Sequence, residues 1–270
     1  MTFFQAFCLG VIQGITEFLP VSSSAHVDIF SKLMNLPHQD KAFNIFLNIG
    51  SLLAVVVFFR RQVAAMFWGG VDFIRNKKTD DRLFFVTILL ANLPTITVFG
   101  ALEIVFQVEI NSAIVLAASM ILFAVILYLC DRNPTDKENA SRKDILLVGL
   151  VQPLSFISGV SRLGICMSMM RYLRYSREES FRYSMVLSIP SVLGACGVKL
   201  IKALIGQSII ENWSMVAVGC LSAFVFGILS LYGVIRFLRN HTLLPIVIYR
   251  ILLGLFVMAS QTSFVFSFLG

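Results

Sequence analysis

The sequence predicts an all-α polytopic membrane protein built as an inverted-topology repeat, each half a re-entrant helical hairpin followed by three transmembrane helices. Three observations carry that prediction. The composition is strongly apolar, six uninterrupted apolar runs alternate with two broken ones, and the basic residues cluster so that only one threading of these runs satisfies them.

Hydrophobic residues make up 57% of the 270 and charged residues only 14%, with a mean hydropathy of +0.85. A soluble domain averages about one quarter charged residues, so this chain needs lipid as its solvent. The formal charge of +7, from 22 Lys and Arg against 15 Asp and Glu, suggests nucleic acid only until the positions are read. The cations sit in short loops between apolar runs, where they serve as anchors and orientation signals. Nucleic acid is therefore not an expected partner; the membrane is. No basic segment precedes the first apolar run from Phe3, so that run is expected to stay in the mature protein rather than act as a cleaved signal. Cys8, Cys130, Cys166, Cys196 and Cys220 fall singly, without CxxC spacing, and read as buried small hydrophobes.

A helix needs about 20 apolar residues to cross the hydrocarbon core. Runs of that kind lie at Phe43 to Phe59, Leu83 to Leu102, Ala113 to Leu129, Ser184 to Ile205, Met215 to Phe237 and Leu243 to Phe268. Two further stretches, Phe3 to Met34 and Ile145 to Tyr172, carry Pro, Gly, Ser and charge in their middles and read as broken helix pairs. Irregular backbone at membrane depth is tolerated where protein buries it or where it lines a wet cavity.

Orientation follows from Lys and Arg. Arg60, Arg61, Arg75, Lys77, Lys78 and Arg82 form one cluster; Arg132, Lys137, Arg142 and Lys143 a second; Arg171, Arg174, Arg177 and Arg182 a third; Arg236 and Arg239 a fourth. All four are expected in cytoplasmic loops. The connection with Glu103 and Glu109, and Gly206 to Trp213, lack Lys and Arg and belong outside. The hairpins then enter from opposite sides and both termini lie outside. The whole chain, 1–270, reads as a single membrane domain: a first repeat over 1–131, a cytoplasmic connection over 132–141, and a second repeat over 142–270. Gly10, Gln13, Val21 and Ser22 recur 139 positions later as Gly149, Gln152, Val160 and Ser161. Inverted repeats with broken helices place a binding site near the midplane, where the breaks meet.

The first break reads QGITEFLPVSSSAH from Gln13 to His26, and the second SGVSRLG from Ser158 to Gly164. An ionisable side chain at this depth costs about 2.5–3.5 kcal/mol on insertion scales, so Glu17 and Arg162 demand a partner or a ligand. A buried ion pair joining the repeats is the structural alternative, though such pairs gain little over an apolar substitute. Ser23 is the better nucleophile candidate and Ser22 the weaker, while Ser24 has the ordinary option of back-bonding to its own helix. His26 follows these hydroxyls. A guanidinium matches phosphate oxygens, and Gly159 and Gly164 permit close backbone approach at a helix start. The ligand expected is therefore an anionic phosphate. Glu17 repels it unless protonated or bridged by a divalent cation, Mg²⁺ or Ca²⁺. His38 and His241 are expected in loops.

The stretch EFLPVSSSAH preceded by QGIT, with GVSR in the second half and the later RYSMVLSIPS, resembles the undecaprenyl pyrophosphate phosphatase family of bacitracin-resistance membrane phosphatases. The resemblance runs over nearly the whole chain. It implies hydrolysis of the terminal phosphate of undecaprenyl pyrophosphate, recycling the cell-wall lipid carrier, in the bacterial inner membrane with the site facing the periplasm. Catalytic roles are implied for Glu17, Ser23, His26 and Arg162, and substrate contacts for Gln13, Ser22, Gly159, Ser161 and Gly164. The resemblance assigns Glu17 the role of motif carboxylate, and a metal would be held there. Gln13 stands where many members have a second glutamate, and the pattern PGxSRSGxT has become Ser158 to Cys166 without its proline, second serine and threonine. Ser23 attack assisted by His26, and water directed by His26 and Glu17, both remain open. The other class of function is a polyprenyl-phosphate transporter without hydrolysis. The sequence leaves a homodimer open.

Overall fold

The computed structural model describes residues 1–34, 36, 41–101, 113–133, 137–205 and 212–261. The described chain is helical apart from one isolated bridge between Lys137 and Tyr175. The helices are α1 (Phe3–Thr16), α2 (Ser23–Leu33), α3 (Lys41–Phe58), α4 (Arg60–Ile74), α5 (Asp80–Gly100), α6 (Ala113–Asp131), α7 (Arg142–Val151), α8 (Arg162–Tyr172), α9 (Arg177–Ile205), α10 (Trp213–Asn240) and α11 (Leu244–Gln261), with a 3-10 turn at Gln152–Phe156 between α7 and α8. Among them, α5, α6, α10 and the Arg177–Val198 part of α9 are each long and apolar enough to cross a membrane. The protein is an all-α polytopic membrane protein.

Both broken stretches are helix pairs, α1–α2 and α7–α8. The six runs expected as spans all form helices, yet among the described residues two do not qualify as spans on their own. The α3 run meets the criterion only together with α4, from which it bends by 89°, and α11 is a shorter apolar helix; residues 262–270 of its run lie outside the described residues, as do His38, Glu103 and Glu109. The segment from Arg60 to Arg82, expected as a loop, contains α4. Its apolar stretch is too short to span and its flanks are basic, so it carries no spanning signal although it has helical periodicity.

Each hairpin leans on a helix from the other half of the chain: α1 on α10, and α7 on α5. Glycine makes both contacts possible. A Cβ on Gly14 would lie 2.6 Å from the Ala223 carbonyl oxygen, and one on Gly149 would lie 2.1 Å from that of Ala91. Small residues at crossings are the usual means of packing helices where lipid supplies no hydrophobic drive. The remaining neighbours follow the same exchange: α3 packs on α10 as α9 does on α5, while α3 meets α9 and α6 meets α11. A single hydrophobic cluster runs through both tips, including Phe18, Val21, Val160 and Leu163.

The third basic cluster is not a solvated loop. Arg171 is buried, donating from Nε to Asp131 Oδ1 at 2.9 Å and from Nη1 to the Tyr175 carbonyl at 2.6 Å. Arg177 donates from Nε to the same Asp131 oxygen at 2.8 Å, and the Leu243 amide reaches Asp131 Oδ2 at 3.0 Å. One buried carboxylate thus fastens the end of α6 to α8, α9 and the turn before α11. Truncating one member of a buried ionic set leaves its partners uncompensated, at about 3–5 kcal/mol. Asp131→Ala is expected to destabilise the detergent-solubilised protein by that margin, seen as a lowered denaturation midpoint by circular dichroism.

Candidate active site

The first break is a turn over residues 17–22 between α1 and α2. Glu17 caps the end of α1, its amide bonded to the Gln13 carbonyl. Ser22, at φ 69°, turns the chain into α2. That left-handed conformation is costly for a residue with a Cβ, and it delivers Ser23 back toward α1. The result is a compact polar group. Ser23 Oγ donates to Glu17 Oε2 at 2.5 Å, and Gln13 Nε2 donates to the same oxygen at 3.0 Å. Gln13 also reaches Asn48 Oδ1 at 3.2 Å and Ser51 Oγ at 3.5 Å on α3, which fixes its amide orientation. A recess beside Glu17 is lined by Ser51 and Val55 of α3 and by Met185, Ser188 and Val192 of α9.

His26 stands on the other side of the turn. Its Nδ1 lies 2.8 Å from the Ser22 carbonyl oxygen and its Nε2 lies 2.6 Å from Tyr249 Oη, with the two rings stacked at 5.6 Å. A carbonyl can only accept, so Nδ1 carries a proton, and in the neutral ring Nε2 accepts from Tyr249. His26 is not the hydrogen-bond partner of Ser23. Ser22 Oγ pairs with Ser24 Oγ at 3.3 Å.

At the second break, Gly159 adopts φ 89°, and a Cβ there would meet the Leu116 carbonyl oxygen at 2.3 Å. Glycine is required by this turn and by its contact with α6. Ser161 is the N-cap of α8, its Oγ accepting from the Gly164 amide at 3.1 Å. The Gly164 amide is therefore engaged by that cap rather than free at the helix start. Ser22 and Ser161, separated by the 139-residue offset, occupy the same N-cap position of α2 and α8. Arg162 opens α8, and its Nε is buried without a hydrogen-bond partner. Among the described residues it forms no ion pair with Glu17, so the structural alternative of a buried pair joining the repeats is not what the fold contains.

The tips do meet, through a residue that the reading of the breaks passes over. Arg250 of α11 is wholly buried. It donates from Nη1 to the Pro20 carbonyl at 2.7 Å and from Nη2 to the Gly159 carbonyl at 3.2 Å. One guanidinium thereby pins one carbonyl from each tip. A Cβ on Gly164 would lie 3.5 Å from Pro20 Cβ and 2.8 Å from Arg250 Nη1, so the start of α8 abuts the first tip directly. The profile of the family described as Bacitracin resistance protein BacA matches residues 6–256, which include every residue named in this site.

The chain belongs to the BacA family.

Three relatives of this BacA chain carry the same name. Undecaprenyl-diphosphatase of Alcanivorax borkumensis is 38% identical over 259 residues, covering 94% of this chain and 97% of the relative. That of Campylobacter curvus is 35% identical over 254 residues, covering 93% and 96%, and that of Alteromonas mediterranea is 32% identical over 259 residues, covering 94% and 97%.

A divalent cation in the BacA site would have to draw on Glu17. Glu17 uses Oε2 for Ser23 and Gln13, while Oε1 accepts no hydrogen bond among the described residues. No group of three or more His, Cys, Asp and Glu side chains converges among those residues. One carboxylate oxygen completed by waters and substrate phosphate is a donor set that hard cations of the Mg²⁺ type accept. From the protein, Glu17 Oε1 is the carboxylate oxygen left for such a set.

Tyr249, Arg250, Asn48 and Ser51 are the site residues that the motifs miss. Arg250 had a signal, a lone charge within a run long enough to span, which marks function or pairing. Removing it leaves two buried carbonyls unsatisfied, at about 1–3 kcal/mol each. Arg250→Met is expected to cut phosphate release by about 10²-fold through loosened placement of the tips, with a lowered unfolding midpoint; Arg250→Lys, able to reach fewer acceptors, falls between. Unchanged release from Arg250→Met would refute the pinning role.

Proposed function

We propose that this chain hydrolyses undecaprenyl pyrophosphate to undecaprenyl phosphate and inorganic phosphate, from a site between the two hairpin tips. The observation that carries the reading is a buried, unpartnered Arg162 Nε at the second tip and a carboxylate-held serine at the first, the two tips being joined through Arg250. A guanidinium kept from its neighbouring carboxylate is a receptor for another anion. The site residues are those of the family motifs, and the relatives bear the name of this activity.

Phosphoryl transfer is chiefly positioning and charge stabilisation. Arg162 holds the terminal phosphate, and the start of α2 faces it with its backbone amides. Glu17 Oε2 takes the proton of Ser23 Oγ as that oxygen forms a bond to the terminal phosphorus. The bridging P–O bond breaks and undecaprenyl phosphate leaves. Water then cleaves the phosphoserine, restoring Ser23 and releasing phosphate. Glu17, rather than His26, is the proton acceptor in this route, because His26 is committed to Ser22 and Tyr249. His26 is assigned to shaping the turn, tying the start of α2 to Tyr249 of α11. Glu17 Oε1 would hold a divalent cation, which supplies neutralisation of pyrophosphate charge when bound.

The contact exchange between α1–α10 and α7–α5, with the matched N-caps, supports the two-repeat reading of the chain. The basic loops support a cytoplasmic location for the Asp131 end, with the tips near the midplane; the family resemblance supports the bacterial inner membrane and a site facing the periplasm. The decisive assay is inorganic phosphate released from undecaprenyl pyrophosphate by detergent-purified protein, with Mg²⁺ or Ca²⁺ and with chelator. Metal-dependent release is expected. Lipid binding without release by folded protein would overturn hydrolysis and leave lipid transport as the reading.

A further inference from the structure

The surface of α4 is unused by the site and unlike any other in the fold. The helix leaves α3 at 89°, so it lies across the direction of α3 rather than continuing it. One side is closed against α5, since a Cβ on Gly69 would lie 2.1 Å from the Asp81 carbonyl oxygen. The opposite side carries Phe67, Trp68 and Ile74, exposed by 64%, 57% and 84%. At 100° per residue these fall on one arc with Ala64 and Val71, bounded by Arg60 and Arg61 at the start and Arg75 at the end. Nothing among the described residues covers it.

The charge around the arc is one-sided. Arg60, Arg61, Arg75, Lys77 and Lys78 are exposed, and among the described residues none has a carboxylate partner. Arg82 is already committed to Asn76 Oδ1, the Lys77 carbonyl and the Phe73 ring. Asp72 is occupied by the Thr79 hydroxyl at 2.7 Å. A zwitterionic leaflet would satisfy the aromatic arc alone. Five unpaired cations beside it call for net negative phosphate at the same depth, which is the combination interfacial helices use.

We infer that α4 is an in-plane anchor that gathers anionic phospholipids, its aromatic arc in the acyl boundary and its cations on the headgroup phosphates. Because Gly69 locks it to α5, the arc is presented permanently rather than deployed.

The chain has two tryptophans, Trp68 and Trp213, so Trp213→Phe leaves Trp68 as the sole reporter. The full-length protein is reconstituted in phosphatidylcholine vesicles holding equal mole fractions of either brominated phosphatidylglycerol or brominated phosphatidylcholine, and Trp68 fluorescence is measured. Both lipids are expected to quench, with the anionic one about twofold or more stronger. That excess disappears when Arg60, Arg61, Arg75, Lys77 and Lys78 are all changed to Gln, while the quenching common to both lipids stays. Should that variant fail to fold, raising salt on the parent protein serves the same end, since screening removes the anionic excess alone. Equal quenching by the two lipids overturns the selectivity. Absence of quenching by either places Trp68 in water or against a second copy of the chain and overturns the anchor itself.

Discussion

Glu17→Gln lowers phosphate release from undecaprenyl pyrophosphate by about 10²–10⁴-fold while the protein stays folded. Glutamine keeps the volume and retains an oxygen for the Gln13 amide or the Ser23 hydroxyl, so the polar group around the turn persists. What it removes is a base. Ser23 Oγ then keeps its proton, and the Oε1 atom that would share a cation with the substrate loses its charge. Measured at saturating lipid, loss of the base is expected as a fall in kcat, and any weakening of the cation shared with the substrate as a rise in KM. A variant that retains kcat and loses only KM would refute the assignment of Glu17 as proton acceptor.

Arg162→Ala is expected to cost about 10²–10³-fold in kcat/KM, the scale for a preorganised group aimed at transition-state charge. Here Arg162 is half-buried with its Nε buried and unpartnered, so that donor is available without first breaking an internal bond. Arg162→Lys should recover only a small part, because an ammonium lacks the planar pair of donors. Both variants should fold: among the described residues no carboxylate is left unpaired by the change. Activity close to the parent in Arg162→Lys would show that point charge suffices and that two-pronged recognition is absent.

Much of this architecture was legible in the sequence because lipid imposes length and periodicity on it. The apolar runs from Leu83, Ala113, Ser184 and Met215 correspond to α5, α6, α9 and α10, and the interrupted stretches to α1–α2 and α7–α8. The departures have physical reasons. An interfacial helix such as α4 has neither the length nor the uniform apolarity of a span, and Arg171 looked solvated because its acceptor, Asp131, lies 40 residues away. At the site, Gln13, Glu17 and Ser23 are grouped locally by one turn, so spacing alone brings them together. The Arg250 contacts to Pro20 and Gly159 span 230 and 91 residues, and the His26 contact to Tyr249 spans 223. No local pattern encodes such pairings. The carboxylate-to-serine link was masked by a conventional expectation that a nearby histidine is the base.

The seating of α1 against α10, with the Gly14 backbone in contact range of Ala223, sets an order on biogenesis. The first hairpin leaves the ribosome long before its support exists. At about 5–20 residues per second, the roughly 200 residues between them amount to about 10–40 s of synthesis during which the Glu17 turn has its α3 contacts but not α10. Arg250 emerges later still. The nascent chain therefore remains inert toward lipid pyrophosphates until its last helix is inserted, and a protein truncated before α11 carries the complete motifs without a working site.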